Sequence, residues 1–224
     1  MNVIETDELK VILGEMGTRV HVDAVHSAKP KSDLLTGDLV EKIVSLYPCS
    51  GIIAKISRLV VDLNRLPEVE NPTSVAVTQA YRGAIQQILV QNHLLDEYSE
   101  ELRQPYLHLA LHGMRDENDT PFTIELGTRH GQSCSPEVRD WAVTFLENHA
   151  LSREIPIEIV IDRNFIGDRS KMIHRYGDQN DYLGYGENYH AIQVELARTL
   201  RQNYLHQVAQ IFADLAREFS DVFS

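Results

Sequence analysis

The stretch PYLHLALHGM, residues 105–114, decides how the rest of the chain is read. Side chains alternate across a strand, so Leu107, Leu109 and Leu111 fall on one face and Tyr106, His108, Ala110 and His112 on the other. Both faces are buriable, which suits a strand in the middle of a sheet covered on both sides. The second face is less apolar and is the one that looks toward a site. His108 and His112 share it, but four strand residues separate them by about 13 Å, too far to share one metal ion. Only one of the pair can be a ligand.

Working outward, TRVHVDAVH (18–26) alternates in the same way, with Val20, Val22 and Ala24 on one side. SGIIAKISRLVVDLN (50–64) offers two β-branched runs, and IPIEIVID (155–162) and HAIQVELA (190–197) two further strands. Helical spacing covers DLVEKIVSLY (38–47), Val77 to Leu102, and LRQNYLHQVAQIFADLAREF (200–219), a long amphipathic helix. SPEVRDWAVTFLENHA (135–150) opens with Ser135 as N-cap and Pro136 at the first helical position. Residues 163–188 form the longest irregular stretch, rich in Gly and Tyr, and 168–189 is a candidate lid over a substrate. Alternating strands and helices predict an α/β fold: a single three-layer domain over residues 1–224, with a mixed, mostly parallel sheet flanked by helices.

With 43% apolar and 24% charged residues, the 224-residue chain has the composition of a globular domain with a real core. Its formal net charge of -12, with no basic run, disfavours a nucleic-acid or anionic-membrane partner. MNVIETDELKVILGEMG lacks the pattern of a secretion signal, and no apolar run approaches bilayer length. Cys49 and Cys134 are too few for a disulfide framework and form no CxxC pair. A reduced, cytoplasmic setting is expected.

Open α/β sheets present ligands at the carboxyl ends of their strands. Those ends carry His26, Asn64-Arg65, His112, Asp162 and Glu195. Two histidines, an arginine and carboxylates recurring there point to a divalent metal beside an anion clamp. GTRHGQSC (127–134) has its glycines misplaced for either phosphate-binding fingerprint.

In order and spacing, five segments resemble the N-formylglutamate amidohydrolase family, zinc hydrolases with a zinc carboxypeptidase-like (phosphorylase/hydrolase-like) fold. They are RLVVDLNRLP, PYLHLALHGM, IELGTRHGQSCSPEV, IDRNFIGDRSKMIHRYGD and HAIQVELARTL, spread over most of the chain from about Val20 to Arg201. The resemblance implies zinc held by His26, His112 and a carboxylate, for which Asp38 is the choice and Asp33 and Glu41 the competitors. It implies Glu195 as general base, and Arg65 with Asn64 as the contact for a substrate carboxylate or oxyanion. His174 and Arg175 stand where the family has an arginine and a histidine in the opposite order, so either is a second anion contact. VHSAKP departs from the family's Pro-His-x-Gly turn, and Ala110-Leu111 replace the acid before His112. The implied activity is zinc-dependent hydrolysis of an amide in a small anionic substrate, with carboxypeptidase-like or γ-glutamyl peptide hydrolysis as neighbouring possibilities. A metal-free binding module is the alternative from another class. The sequence leaves the oligomeric state open.

Overall fold

The computed structural model describes residues 2–95, 101–116, 121–178 and 182–223. Among these residues eight strands build one sheet: β1 (Asn2–Glu5), β2 (Leu9–Leu13), β3 (Val20–Ala24), β4 (Ser50–Ala54), β5 (Tyr106–Gly113), β6 (Thr123–Gly127), β7 (Glu158–Ile161) and β8 (Tyr189–Leu196). Their order is β1-β2-β4-β3-β5-β8-β6-β7. The central four, β4-β3-β5-β8, run parallel, whereas β1, β2 and β6 join by antiparallel pairings and β7 lies parallel to β6. The sheet is therefore mixed, with a parallel centre.

Among the described residues six helices cover it: α1 (Thr36–Leu46), α2 (Pro72–Gln91), α3 (Pro136–Ser152), α4 (Arg169–Tyr176), α5 (Arg198–Asn203) and α6 (Leu205–Val222). Side-chain alternation in β5 separates two cores. Leu107, Leu109 and Leu111 join α1, α3 and α6 on one face, while Tyr106 joins α2 on the other. Helix α6 turns Val208, Ile211, Phe212, Leu215 and Phe219 inward at helical spacing. Each such fully buried side chain contributes about 1.5–3 kcal/mol.

Local signals set several boundaries. Ser135 caps α3, its hydroxyl accepting from the Val138 amide at 3.3 Å, with Pro136 in the first turn. Asn71 and Pro72 open α2 in the same way.

Four expectations need correction. RLVVDLN is not a strand: after β4 the chain leaves the sheet, because β2 and β3 already flank β4 on both sides. Val61 and Leu63 turn into the core beneath α2, and Leu59 and Val60 stay exposed. The helix from Val77 ends at Gln91, and 96–100 lie outside the described residues. The 163–188 stretch holds helix α4, capped by Asp168, whose carboxylate accepts from the Ser170 amide at 3.1 Å; residues 179–181 lie outside the described ones. The C-terminal helix is two, broken at Tyr204, because α5 is pinned to the strand ends by the buried Arg201, which donates to the Leu196 and Met114 carbonyls. The hairpin β1–β2 was not foreseen. Among the described residues no helix is long and apolar enough to cross a membrane, and both cysteines are buried and unpaired.

Candidate metal centre and its cleft

Because β4, β3, β5 and β8 run parallel, their carboxyl ends meet at one edge of the sheet. There a cleft of about 290 Å³ is lined by His26, Asp33, Arg58, Asp62, Asn64, Arg65, His112, Gln193, Glu195 and the segment 165–168. In the β5–β8 ladder His112 stands directly opposite Glu195, so both point to the same side.

His26, Asp33 and His112 group their ligand atoms within 4.8 Å of one another. Oδ2 of Asp33 lies 3.5 Å from Nδ1 of His26 and 3.3 Å from Nδ1 of His112. The loop after β3 folds back to achieve this, the Asp33 amide donating to the His26 carbonyl at 2.7 Å. Asp62 accepts from Nε2 of His26 at 2.6 Å and from the Asn64 amide at 3.0 Å, fixing both the ring and the turn that carries Asn64 and Arg65. Arg58 donates to Oδ1 of Asp33 and leaves Oδ2 facing the two rings.

Electrostatics match this arrangement. Burial works to lower His26, but the carboxylates of Asp33 and Asp62 outweigh it and hold that imidazole above its ordinary value. Burial pushes His112 down to about 4. Burial works to raise Asp33, and contact with His112, His26 and Arg58 overrides it, so the carboxylate sits well below its usual range. Burial, then the neighbouring Asp33 charge, pushes Glu195 up to about 7.

The residues present fit a metal ion. Two imidazoles and a carboxylate are an N/O donor set of the kind zinc takes in catalytic sites. Among the described residues, Nδ1 of His26 and Nε2 of His112 are buried with no hydrogen-bond partner. Asp62 behind His26 is the outer-shell carboxylate that such histidines use to fix their tautomer.

The structure brings together His26, His112, Glu195, Asn64 and Arg65. It keeps Asp38, Glu41, His174, Arg175 and Asp162 away from them. Asp38 is exposed on the first turn of α1 and lines a separate depression with Glu41, so the carboxylate between the imidazoles belongs to Asp33. His174 and Arg175 lie on α4, whose first turn borders the cleft but whose later residues turn from it. His174 is buried against Tyr182, with 2.8 Å between its Nδ1 and the hydroxyl, and Arg175 lines another depression beside Glu101. Asp162 faces the amides of Thr128 and His130 instead of the cleft. Arg58, Asp62 and Gln193 were not singled out in the sequence. Asp62 and Gln193 sit inside the quoted RLVVDLNRLP and HAIQVELARTL segments and Arg58 opens the first of them, so those segments held a signal.

A second group, His21, Asp23 and His108, lies deeper on the same strands. Asp23 accepts from Tyr81 and lies 2.7 Å from Nε2 of His108 and 4.0 Å from Nζ of Lys171. Lys171 supplies the compensating cation there, and burial lowers the His21, His108 and His174 imidazoles, keeping them neutral.

No family model matches the sequence, and no curated protein matches it. Solved structures do. An N-formylglutamate amidohydrolase from Ralstonia eutropha JMP134 aligns with a TM-score of 0.69 over 97% of this chain and 98% of its own, at 13% identity. A bacteriophage poly-gamma-glutamate hydrolase aligns at 0.54 over 96% of this chain and 91% of its own, at 11% identity. A putative carboxypeptidase from Burkholderia mallei ATCC 23344 aligns at 0.50 over 94% of this chain and 60% of its own, at 13% identity. The chain thus has the α/β fold of amidohydrolase and carboxypeptidase-like proteins. At such identities the likeness speaks for the fold, and activity has to be argued from the cleft.

Proposed function

We propose that the chain is a zinc-dependent hydrolase of an amide bond in a small carboxylate-bearing substrate of the N-acyl amino acid kind. One observation carries the reading: the buried Glu195 carboxyl stands across the β5–β8 ladder from His112, beside His26 and Asp33, in the cleft that also holds Asn64 and Arg65. His26, Asp33 and His112 would hold the zinc. When bound, the metal supplies a Lewis acid that acidifies water to a pKa of about 7 and polarises a carbonyl. Glu195 takes the proton from the attacking water and returns it to the leaving nitrogen. Its Oε1 is held by Gln193, so Oε2 is the atom free to do so.

Arg65 receives the substrate carboxylate. Its guanidinium is largely exposed and meets Asp168 at 3.1 Å. A single exposed ion pair contributes little, so an incoming carboxylate displaces Asp168 at small cost. The N-formylglutamate amidohydrolase and poly-gamma-glutamate hydrolase that share the fold act, by their names, on amides of glutamate. An acidic amide substrate agrees with both, and the carboxypeptidase-like reading differs in the acyl group, a peptidyl chain in place of a small acyl. Arg58 favours a second reading. It already compensates Asp33, as a metal-free binding module would require.

Elemental analysis of the purified protein separates the two. About one zinc per chain is expected, retained in Asp38→Ala and lost in His112→Ala and Asp33→Ala. Protein that takes up no zinc at pH 8 favours the binding module. Hydrolysis is then assayed on N-formyl, N-acetyl and γ-glutamyl derivatives of glutamate.

A further inference from the structure

Gln193 lies on β8 two residues before Glu195 and on the same face of the sheet, 5% exposed. Its Oε1 accepts from Nδ2 of Asn64 at 3.2 Å and from the Asp168 amide at 3.3 Å. Its Nε2 donates to Oε1 of Glu195 at 3.0 Å. Only this orientation of the amide works. Exchanging its oxygen and nitrogen would set NH₂ against two donors and a carbonyl against a carboxylate.

The contacts close a ring. Oγ of Ser170 donates to the Asn64 carbonyl at 3.0 Å, Oδ1 of Asp168 caps the Ser170 amide, and Oδ2 of Asp168 meets Arg65. The Asn64-Arg65 turn and the first turn of α4 are therefore bound to each other, and both are bound to β8 through one side chain. We propose that Gln193 is a positioning residue that holds the Glu195 carboxylate in one orientation and latches the Asn64-Arg65 arm and the α4 N-terminus to the same strand. Base and carboxylate-binding arm then keep a fixed separation, as catalysis by two converging groups requires. The inference rests on the roles given above to Glu195 and Arg65.

The two halves of the amide can be separated. Gln193→Glu keeps an acceptor for Asn64 and Asp168 but has no N–H for Glu195. Gln193→Met has similar bulk and keeps neither. Two readouts apply. The first is amide hydrogen exchange at Asp168 in metal-free protein, followed by NMR. It should accelerate about tenfold or more in Gln193→Met, the effect of losing one buried hydrogen bond, and stay slow in Gln193→Glu. The second is turnover of an acidic amide. Both variants should lose kcat by about a hundredfold, the lower end for a disabled base, while KM rises in Gln193→Met alone. That split is not what general destabilisation gives, since destabilisation moves both parameters together in both variants.

Wild-type exchange at Asp168 in Gln193→Met overturns the latch. Wild-type kcat in Gln193→Glu overturns the orienting role. If the wild-type protein cleaves none of the amides tested, the functional reading fails, and the exchange comparison still decides the latch by itself. Gln193→Ala, which also removes the acceptor for Asn64 and Asp168, serves for the same exchange measurement where Gln193→Met does not fold, and wild-type exchange there likewise overturns the latch.

Discussion

Glu195 is 5% exposed, and its burial, reinforced by the charge of Asp33, moves the carboxyl up to about 7. A base acts ionised, and bound zinc would hold its titration below the metal-free value, so hydrolysis should climb with pH on the acid side of neutrality. Glu195→Gln should lose about 10²–10⁴ in turnover while keeping its zinc; unchanged turnover removes Glu195 from the chemistry. The same shift has a consequence for stability. In metal-free protein the folded state holds this proton more tightly than the unfolded chain, whose Glu titrates near 4.5. The contribution of Glu195 to stability is therefore greatest below that value and is lost as pH rises to about 7. Chelator-treated Glu195→Gln should thus melt above wild type at pH 8 and lose that advantage at pH 4; calorimetry showing a lower Tm at pH 8 contradicts the buried-acid account. Arg65 is a different case, since its guanidinium is exposed and meets the cleft through Asp168. Arg65→Ala should raise KM for an acidic amide by about tenfold or more, the range for a charge-assisted hydrogen bond, and leave a neutral analogue nearly unaffected. Equal loss on both substrates argues against a carboxylate contact.

Strands β3, β5 and β8 carry two kinds of chemistry on one face, a buried polar layer beneath α2 and α4 and the open cleft at their carboxyl ends. In that layer Asp23 and Lys171 are both fully buried, and Tyr81 and His108 both bond Oδ2 of Asp23, while its Oδ1 has no hydrogen-bond partner among the described residues. Removing one partner leaves a charge without compensation, so Asp23→Asn should destabilise the fold by about 3–5 kcal/mol. Urea unfolding measures this, and a loss below 1 kcal/mol would mean that the Asp23–Lys171 pair does not hold the fold. The layer also explains what could be read from the sequence. Alternation in β5 and β8 and the cap of α3 were visible because each is a local pattern. The strand-end rule pointed to His26, His112, Glu195, Asn64 and Arg65, which one edge of the sheet brings together. Asp33 was passed over for Asp38 because only the return of the loop, closed by the Asp33 amide on the His26 carbonyl, brings its carboxylate between the rings. His174 and Arg175 were misplaced because their segment is short and mostly polar, and the helix that turns them away is set by the Asp168 cap. RLVVDLN has the residues of a strand but no vacant place beside β4.

At the scale of the whole molecule, the proposed zinc ties together segments far apart in sequence: the loop after β3, the end of β5 and, through Asp62, the turn after β4. The unfolded chain offers no such preformed site, so binding free energy appears as folding free energy. At a free concentration one hundred times Kd the gain is about 2.7 kcal/mol. For a domain of this size that corresponds to a rise in Tm of about 5–10 °C. The gain should vanish in His112→Ala, which removes an imidazole, and persist in Asp38→Ala, whose carboxylate lies in another depression. It should also diminish as pH falls, because protons compete for His26, the imidazole that Asp33 and Asp62 hold above its ordinary value. Scanning calorimetry with and without chelator at pH 8 and pH 5.5 checks all three. A zinc-dependent gain of equal size in His112→Ala would mean that the ion binds elsewhere, and the convergence of His26, Asp33 and His112 would then be an internal polar cluster held by Arg58.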